Sequence, residues 1–213
     1  MDLFEPVDKD GKLSGNTVLR YHRLISSILT VAVEWQVILN NPADRARSPR
    51  VEKKDPHYLD DIQARDLVEK LSGEPILYRT MILLLIYSGI RRGELYGLKW
   101  ADIDMDTGVL SVNRALQYLP GRGLFEKEPK SASSNRPIKL PEISIRLLRE
   151  YLAWQSEQRL LCGDRWIDND LVFANRDGGP RNPDELTKWF GALSRRTDFQ
   201  RCLRIACDTP TQA

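Results

Sequence analysis

The segment from Met81 to Trp100, MILLLIYSGIRRGELYGLKW, limits more than any other how this chain can fold. It begins with an apolar run, breaks at Gly89, and then carries Arg91, Arg92 and Glu94 ahead of Leu95, Leu98 and Trp100. The run is far too short to cross a bilayer, so it is expected as a buried helix of a globular core, with the charged residues at that core's edge. An arginine held on a rigid frame loses little freedom on meeting an anion, and its planar fork matches two phosphate oxygens at once. Two readings stand for Arg91 and Arg92: they bind phosphate, or they solvate the start of a second helix.

The other sequence features set wider bounds. A chain of 213 residues is long enough for one domain or two, each with a real core. A formal charge of +2 allows a basic groove without arguing for one, because clustering matters more than the total. Cys162, Cys202 and Cys207, with only His22 and His57 beside them, form neither a disulfide framework nor a zinc spacing. No metal site is expected, and the cysteine usage suits a reducing, intracellular protein. The start, MDLFEPVDKDGKLSG, lacks a basic flank followed by an apolar core. It reads as a polar lead-in without an export signal, which predicts a cytoplasmic location and no membrane partner.

In chain order, TVLRYHRLISSILTVAVEWQVILN puts Leu24, Ile28, Val31 and Trp35 at helical spacing after Asn16, a candidate N-cap, and the helix is expected to run to Asn40. Arg20, His22 and Arg23 lie elsewhere on its wheel, either facing phosphate or simply solvated. The stretch NPADRARSPRVEKKDPHYL has the composition of a linker and carries Arg45, Arg47, Arg50, Lys53 and Lys54. It is either a plain tether or a basic strap along a duplex. A helix should begin at Asp60 or Asp61 and close at Gly73, and Pro75 should open the buried helix. Past Trp100 the pattern turns extended: Val109, Ser111 and Asn113 alternate after the turn Asp106-Thr107-Gly108, and RPIKLP reads as another strand. A helix follows with Ile145, Leu148 and Leu152 on one side, then a short strand LVFAN, then a last helix opened by Pro183. Trp189, Phe190 and Leu193 of that helix are expected to pack inward.

The words SGIRRGEL, GLKWADID and PKSASSNRPIKLP resemble the catalytic domain of the tyrosine recombinases, specifically the phage-type and transposon-type integrases, from about Thr17 to Arg196. The resemblance implies an α+β fold: a mostly helical catalytic domain with a small antiparallel sheet (57–213), preceded by a remnant of a helical core-binding domain (1–41) and a basic linker (42–56). In that family a Gly-x-Arg-x-x-Glu/Asp-Leu box supplies a catalytic arginine, matching Arg91, with Glu94 as its orienting partner. The catalytic lysine lies on a β-hairpin in a box that reads here as Pro129, Lys130, Ser131, Ser134 and Arg136. Lys130 follows the proline and is the residue matched; Lys127 is its nearest competitor, and Lys139 reads as strand decoration. By the same resemblance, Arg20, Arg23, Arg45, Arg47, Arg50, Lys53, Lys54, Arg92, Lys127 and Arg136 are the candidate DNA contacts. The implied partner is double-stranded DNA, on whose paired sites intact relatives assemble as tetramers. No cofactor is implied, because bond energy is kept in a phosphotyrosine link.

The resemblance fails at the C-terminus. A His-x-x-Arg-His box, a further His or Trp, and the tyrosine nucleophile should follow, yet no tyrosine comes after Tyr151. The tail from about residue 198, DFQRCLRIACDTPTQA, is off-pattern. Codons built from the third base of one residue and the first two of the next allow His at Arg204-Ile205, Arg at Cys207-Asp208 and His at Asp208-Thr209. The shifted reading becomes His-x-Leu/Met-Arg-His-Thr-His-Ala-Ser. The chain is therefore expected to be a truncated, frame-shifted and inactive form, and the coding DNA tests this.

Overall fold

The computed structural model describes residues 13–47, 60–127 and 136–197. The chain divides into two compact units, Met1–Asp55 and Pro56–Ala213.

The first unit is built on α1 (Gly15–Glu34). Ser14, rather than Asn16, is its N-cap and accepts from the Thr17 N–H at 3.3 Å. The helix stops short of Asn40 because Gln36 takes a left-handed φ of 57°, which a right-handed helix cannot continue through. The chain then returns on itself. The Asn41 amide donates to the Ser26 carbonyl at 3.0 Å and the Thr30 hydroxyl at 3.1 Å, while its own oxygen accepts from the Ala43 N–H and caps the 3-10 turn Pro42–Arg45. Val18 and Ala43 are this unit's buried apolar side chains among the described residues. Leu24, Ile28, Val31 and Trp35 do share one face at helical spacing, but that face is exposed, Ile28 at 60% and Trp35 at 76%. Periodicity identified the apolar face; it carries no information on what covers it.

The second unit has the expected α+β architecture, mostly helical with small antiparallel sheets. Its first helix, α2 (Asp61–Ser72), opens with a capping box: the Asp60 carboxylate accepts from the Gln63 N–H at 2.7 Å, and the Gln63 side chain accepts from the Asp60 N–H at 3.2 Å. Next comes α3 (Ile76–Ser88), whose residues Thr80 to Leu85 are all buried. A helix buried on every side belongs at the centre of its domain, and α2, α4 (Arg92–Gly97) and α5 (Glu142–Cys162) pack against it. Gly89 ends α3 with a left-handed φ of 63°, its N–H donating to the Leu85 carbonyl at 3.0 Å.

The strands come between α4 and α5. One antiparallel sheet has the order β1 (Ile103–Asp104), β2 (Val109–Val112), β5 (Arg136–Lys139), with Leu110 opposite both Ile103 and Ile138. A separate hairpin pairs β3 (Ala115–Leu119) with β4 (Gly123–Lys127). In α5 the row Ile145, Leu148, Tyr151 and Gln155 turns inward, whereas Leu152, expected there, is 38% exposed. The segment LVFAN forms two isolated bridges, Lys99 to Leu171 and Ala174 to Pro180, instead of a strand. Nearby, Gly178 has a φ of 82°, and a Cβ there would lie 2.2 Å from the Ile167 carbonyl oxygen. The last helix, α6 (Asp184–Arg196), buries Leu186, Phe190 and Leu193, and it stacks Trp189 on Tyr78 with ring centres 4.3 Å apart. No helix of the described residues is long and apolar enough to cross a membrane.

Candidate functional site

The buried helix α3 delivers the chain to Gly89, and the turn that follows sets Arg91 at the N-cap of α4 with extended backbone (φ −76°, ψ 153°). One turn into α4, Glu94 reaches back to it. The Glu94 carboxylate accepts from the Arg91 N–H at 2.9 Å and from its Nη1 at 2.8 Å. A third donor comes from the sheet: Nη2 of Arg136, the first residue of β5, lies 3.0 Å from Glu94 Oε2. The Glu94 side chain is 9% exposed, Arg136 35% and Arg91 65%. Burial pushes the Glu94 carboxyl up, but the Arg91 N–H and the two guanidiniums outweigh it and hold the group below its ordinary value of 4.5. One carboxylate between two guanidiniums leaves a net positive charge, and Arg91 is its most exposed member. Such a group can hold an anion in two-pronged fashion without the protein reorganising.

The other sequence candidates fall into distinct places. Arg92 donates to Thr187 Oγ1 at 2.5 Å and pairs with Asp184 at 3.2 Å, so it ties α4 to α6. Lys127 ends β4 opposite Ala115, and Arg136 begins β5 opposite Val112. Between them, Lys130 lies outside the described residues, as do Arg50, Lys53 and Lys54. Arg20, Arg23, Arg45 and Arg47 are exposed positions of the first unit. The structure thus brings together Arg91, Glu94 and Arg136.

The frame around these residues is tightly specified. Gly93 and Gly97 line the face of α4 that meets β3; a Cβ at Gly97 would lie 3.2 Å from the Arg114 carbonyl and the Leu116 nitrogen. At the root of the hairpin, buried Asp102 accepts from the Lys99 N–H at 2.9 Å, from Asn113 at 2.9 Å and from Arg114, which also pairs with Glu126 at 3.3 Å. Tyr151, the last tyrosine of the sequence, is 0% exposed, and burial pushes its hydroxyl far up. It is unsuited to act as a nucleophile. Sequence reasoning placed Arg136 on DNA and missed its bond to Glu94. The two are 42 positions apart, and among the described residues it is the pairing of β5 with β2 that holds Arg136 in place.

The profile of the phage integrase family matches residues 57–205. A tyrosine recombinase XerC-like protein of Caldanaerobacter subterraneus is 24% identical over 201 residues, 86% of this chain and 51% of its own length. The ICEBs1 integrase of Bacillus subtilis is 22% identical over 165 residues, 78% of this chain and 45% of its own. Prophage integrase IntR of Escherichia coli is 28% identical over 170 residues, covering 80% and 38%. The chain therefore spans about half the length, or less, of these relatives. Among solved structures, the Tn1549 transposon integrase in complex with a circular intermediate DNA has a TM-score of 0.74 at 21% identity, covering 93% of this chain and 63% of that one. The lambda integrase bound to DNA has a TM-score of 0.54 at 16% identity, covering 86% and 57%. These structural likenesses speak to the fold. The profile match spans most of the chain and includes Arg91, Glu94 and Arg136, so this protein is a member of the phage integrase family, among the tyrosine recombinases.

Proposed function

We propose that the chain supplies part of a DNA strand-breaking and rejoining site, used by a mobile element's integrase for site-specific recombination in the bacterial cytoplasm. The observation that carries this reading is Arg91, exposed yet anchored to the buried Glu94 carboxylate, in a chain of this family. In the reaction, a tyrosine oxygen attacks the scissile phosphorus and the bond from phosphorus to the 5′ oxygen breaks. Arg91 braces the non-bridging oxygens as charge builds on them. Lys130 gives its proton to the departing 5′ oxygen. Glu94 fixes the direction of Arg91 and touches no DNA. Double-stranded DNA is the substrate, and longer relatives would act on paired sites as tetramers.

Within these 213 residues no tyrosine follows Tyr151, and residues that work as a unit lose activity together. The 213-residue chain alone is therefore expected to bind duplex DNA without cutting it. Anisotropy of a labelled duplex at rising salt should show affinity falling steeply, with a log–log slope of about −0.9 per phosphate neutralised. Arg91→Ala should weaken binding, and a nicked suicide duplex should yield no covalent adduct. A salt-insensitive signal that Arg91→Ala leaves unchanged would refute the phosphate role of Arg91; a covalent adduct would refute the loss of cleavage.

A further inference from the structure

We propose that Arg136 is a positioning residue: it clamps Glu94 from the sheet side and so sets the direction and the surplus charge of Arg91, without contacting DNA itself. The inference rests on the reading of Arg91 as a phosphate-binding group. Three observations carry it. Arg136 Nη2 lies 3.0 Å from Glu94 Oε2, the same oxygen that accepts from the Arg91 N–H, while Oε1 takes Arg91 Nη1. Contacts from both sides fix the plane of the carboxylate, and a fixed carboxylate fixes the guanidinium bonded to it. Among the described residues Glu94 is the hydrogen-bond partner of both guanidiniums, and its side chain is 9% exposed, so water competes little for it.

Charge gives the second half of the argument. A lone Arg91–Glu94 pair is neutral and attracts an approaching phosphate weakly. The second guanidinium turns the pair into a triad of net charge +1, and Arg91 is its most exposed member at 65%. Arg136 also begins β5 and is held opposite Val112. The clamp therefore belongs to the sheet, not to the helix that carries Arg91, so the arginine's direction depends on the sheet being docked.

The test uses the full 213-residue chain and a fluorescein-labelled random-sequence duplex, with Arg136→Gln, Arg136→Lys, Arg91→Gln and the Arg91→Gln/Arg136→Gln double variant. Arg136→Gln should weaken binding about tenfold. The double variant should lose less relative to Arg91→Gln than Arg136→Gln loses relative to the parent chain, because the part of the effect that runs through Arg91 is already gone. Arg136→Lys should regain part of the affinity by restoring charge without the planar fork. Additive losses in the double variant would overturn the proposal and make Arg136 a DNA contact; an Arg136→Gln variant that binds like the parent chain would overturn it as well.

Nuclear magnetic resonance of the free chain decides positioning without DNA. In Arg136→Gln the Glu94 carboxyl should titrate at higher pH, and the Arg91 Nε–H signal should shift and exchange faster. An unchanged Arg91 signal would overturn the proposal even if the Glu94 titration moves. Failure of the parent reading looks different: Arg91→Gln then binds DNA like the parent chain, and the resonance measurements still decide the clamp.

Discussion

Glu94 is the residue on which the site's electrostatics turn. Its carboxyl is held below its ordinary value of 4.5, so the native state favours the charged form. The stabilisation from that charge is fully present above the ordinary value and is lost as pH falls through the lower native one. Glu94→Gln should therefore cost about 2 kcal/mol at neutral pH, a figure kept modest because Arg91 is largely exposed. The gap between the two proteins should close on acidification below the ordinary value, read from urea midpoints across pH. A constant gap would contradict the assignment. Tyr151 behaves oppositely: its buried hydroxyl has no hydrogen-bond partner among the described residues, so Tyr151→Phe should leave stability within about 0.5 kcal/mol or raise it slightly. At this scale the arginine box was legible through its resemblance to the family's box, and in the structure one helical turn brings Arg91 and Glu94 together. Arg136 was not, since no local spacing reports a bond made across 42 positions by strand pairing.

Among the elements, those with local punctuation were the ones that could be read in advance. The start at Asp60, the stop at Gly73, the opening at Pro75 and the break at Gly89 are marked by single residues, and α2 and α3 lie between those marks. The hairpin β3–β4 is different, because its position depends on α4, which precedes it in the chain. Gly93 and Gly97 leave the helix bare of side chains where β3 crosses it. Gly97→Ala would set a methyl group 3.2 Å from two backbone atoms of β3 and its approach, so helix and strand must separate. The expected loss is about 1–3 kcal/mol in denaturant unfolding, with amide shifts concentrated at residues 114–116. A stability equal to that of the parent chain would mean the contact is looser than described.

For the molecule as a whole, the two units differ sharply in what they bury. The second holds a continuous core through α2, α3, α5 and α6, whereas the first buries Val18 and Ala43 among its described apolar residues. Unfolding should not be a single step. Far-ultraviolet circular dichroism should lose part of its helical signal at low denaturant, as α1 melts. Tryptophan fluorescence should respond later, since Trp100, Trp154, Trp166 and Trp189 belong to the second unit and only Trp35 to the first. Leu148→Ala should lower the later transition by about 2–5 kcal/mol and leave the earlier one in place. Coincident transitions by both probes would argue against independent units. The mostly helical architecture was readable because apolar periodicity is a local property of each helix. The exposed stripe of α1 was not, because the same periodicity is required whether or not a partner lies over it.

The all-round apolarity of α3 also has a consequence for biosynthesis. Its residues Met81 to Leu85 reach the ribosome exit well before Ile145, Leu148 and Tyr151 of α5, the helix that packs against α3. At about 5–20 residues per second, roughly sixty residues of further synthesis leave that helix without its cover for several seconds. A nascent polypeptide arrested between α4 and α5 should accordingly be held by chaperones, and the yield of native protein should follow chaperone supply during translation.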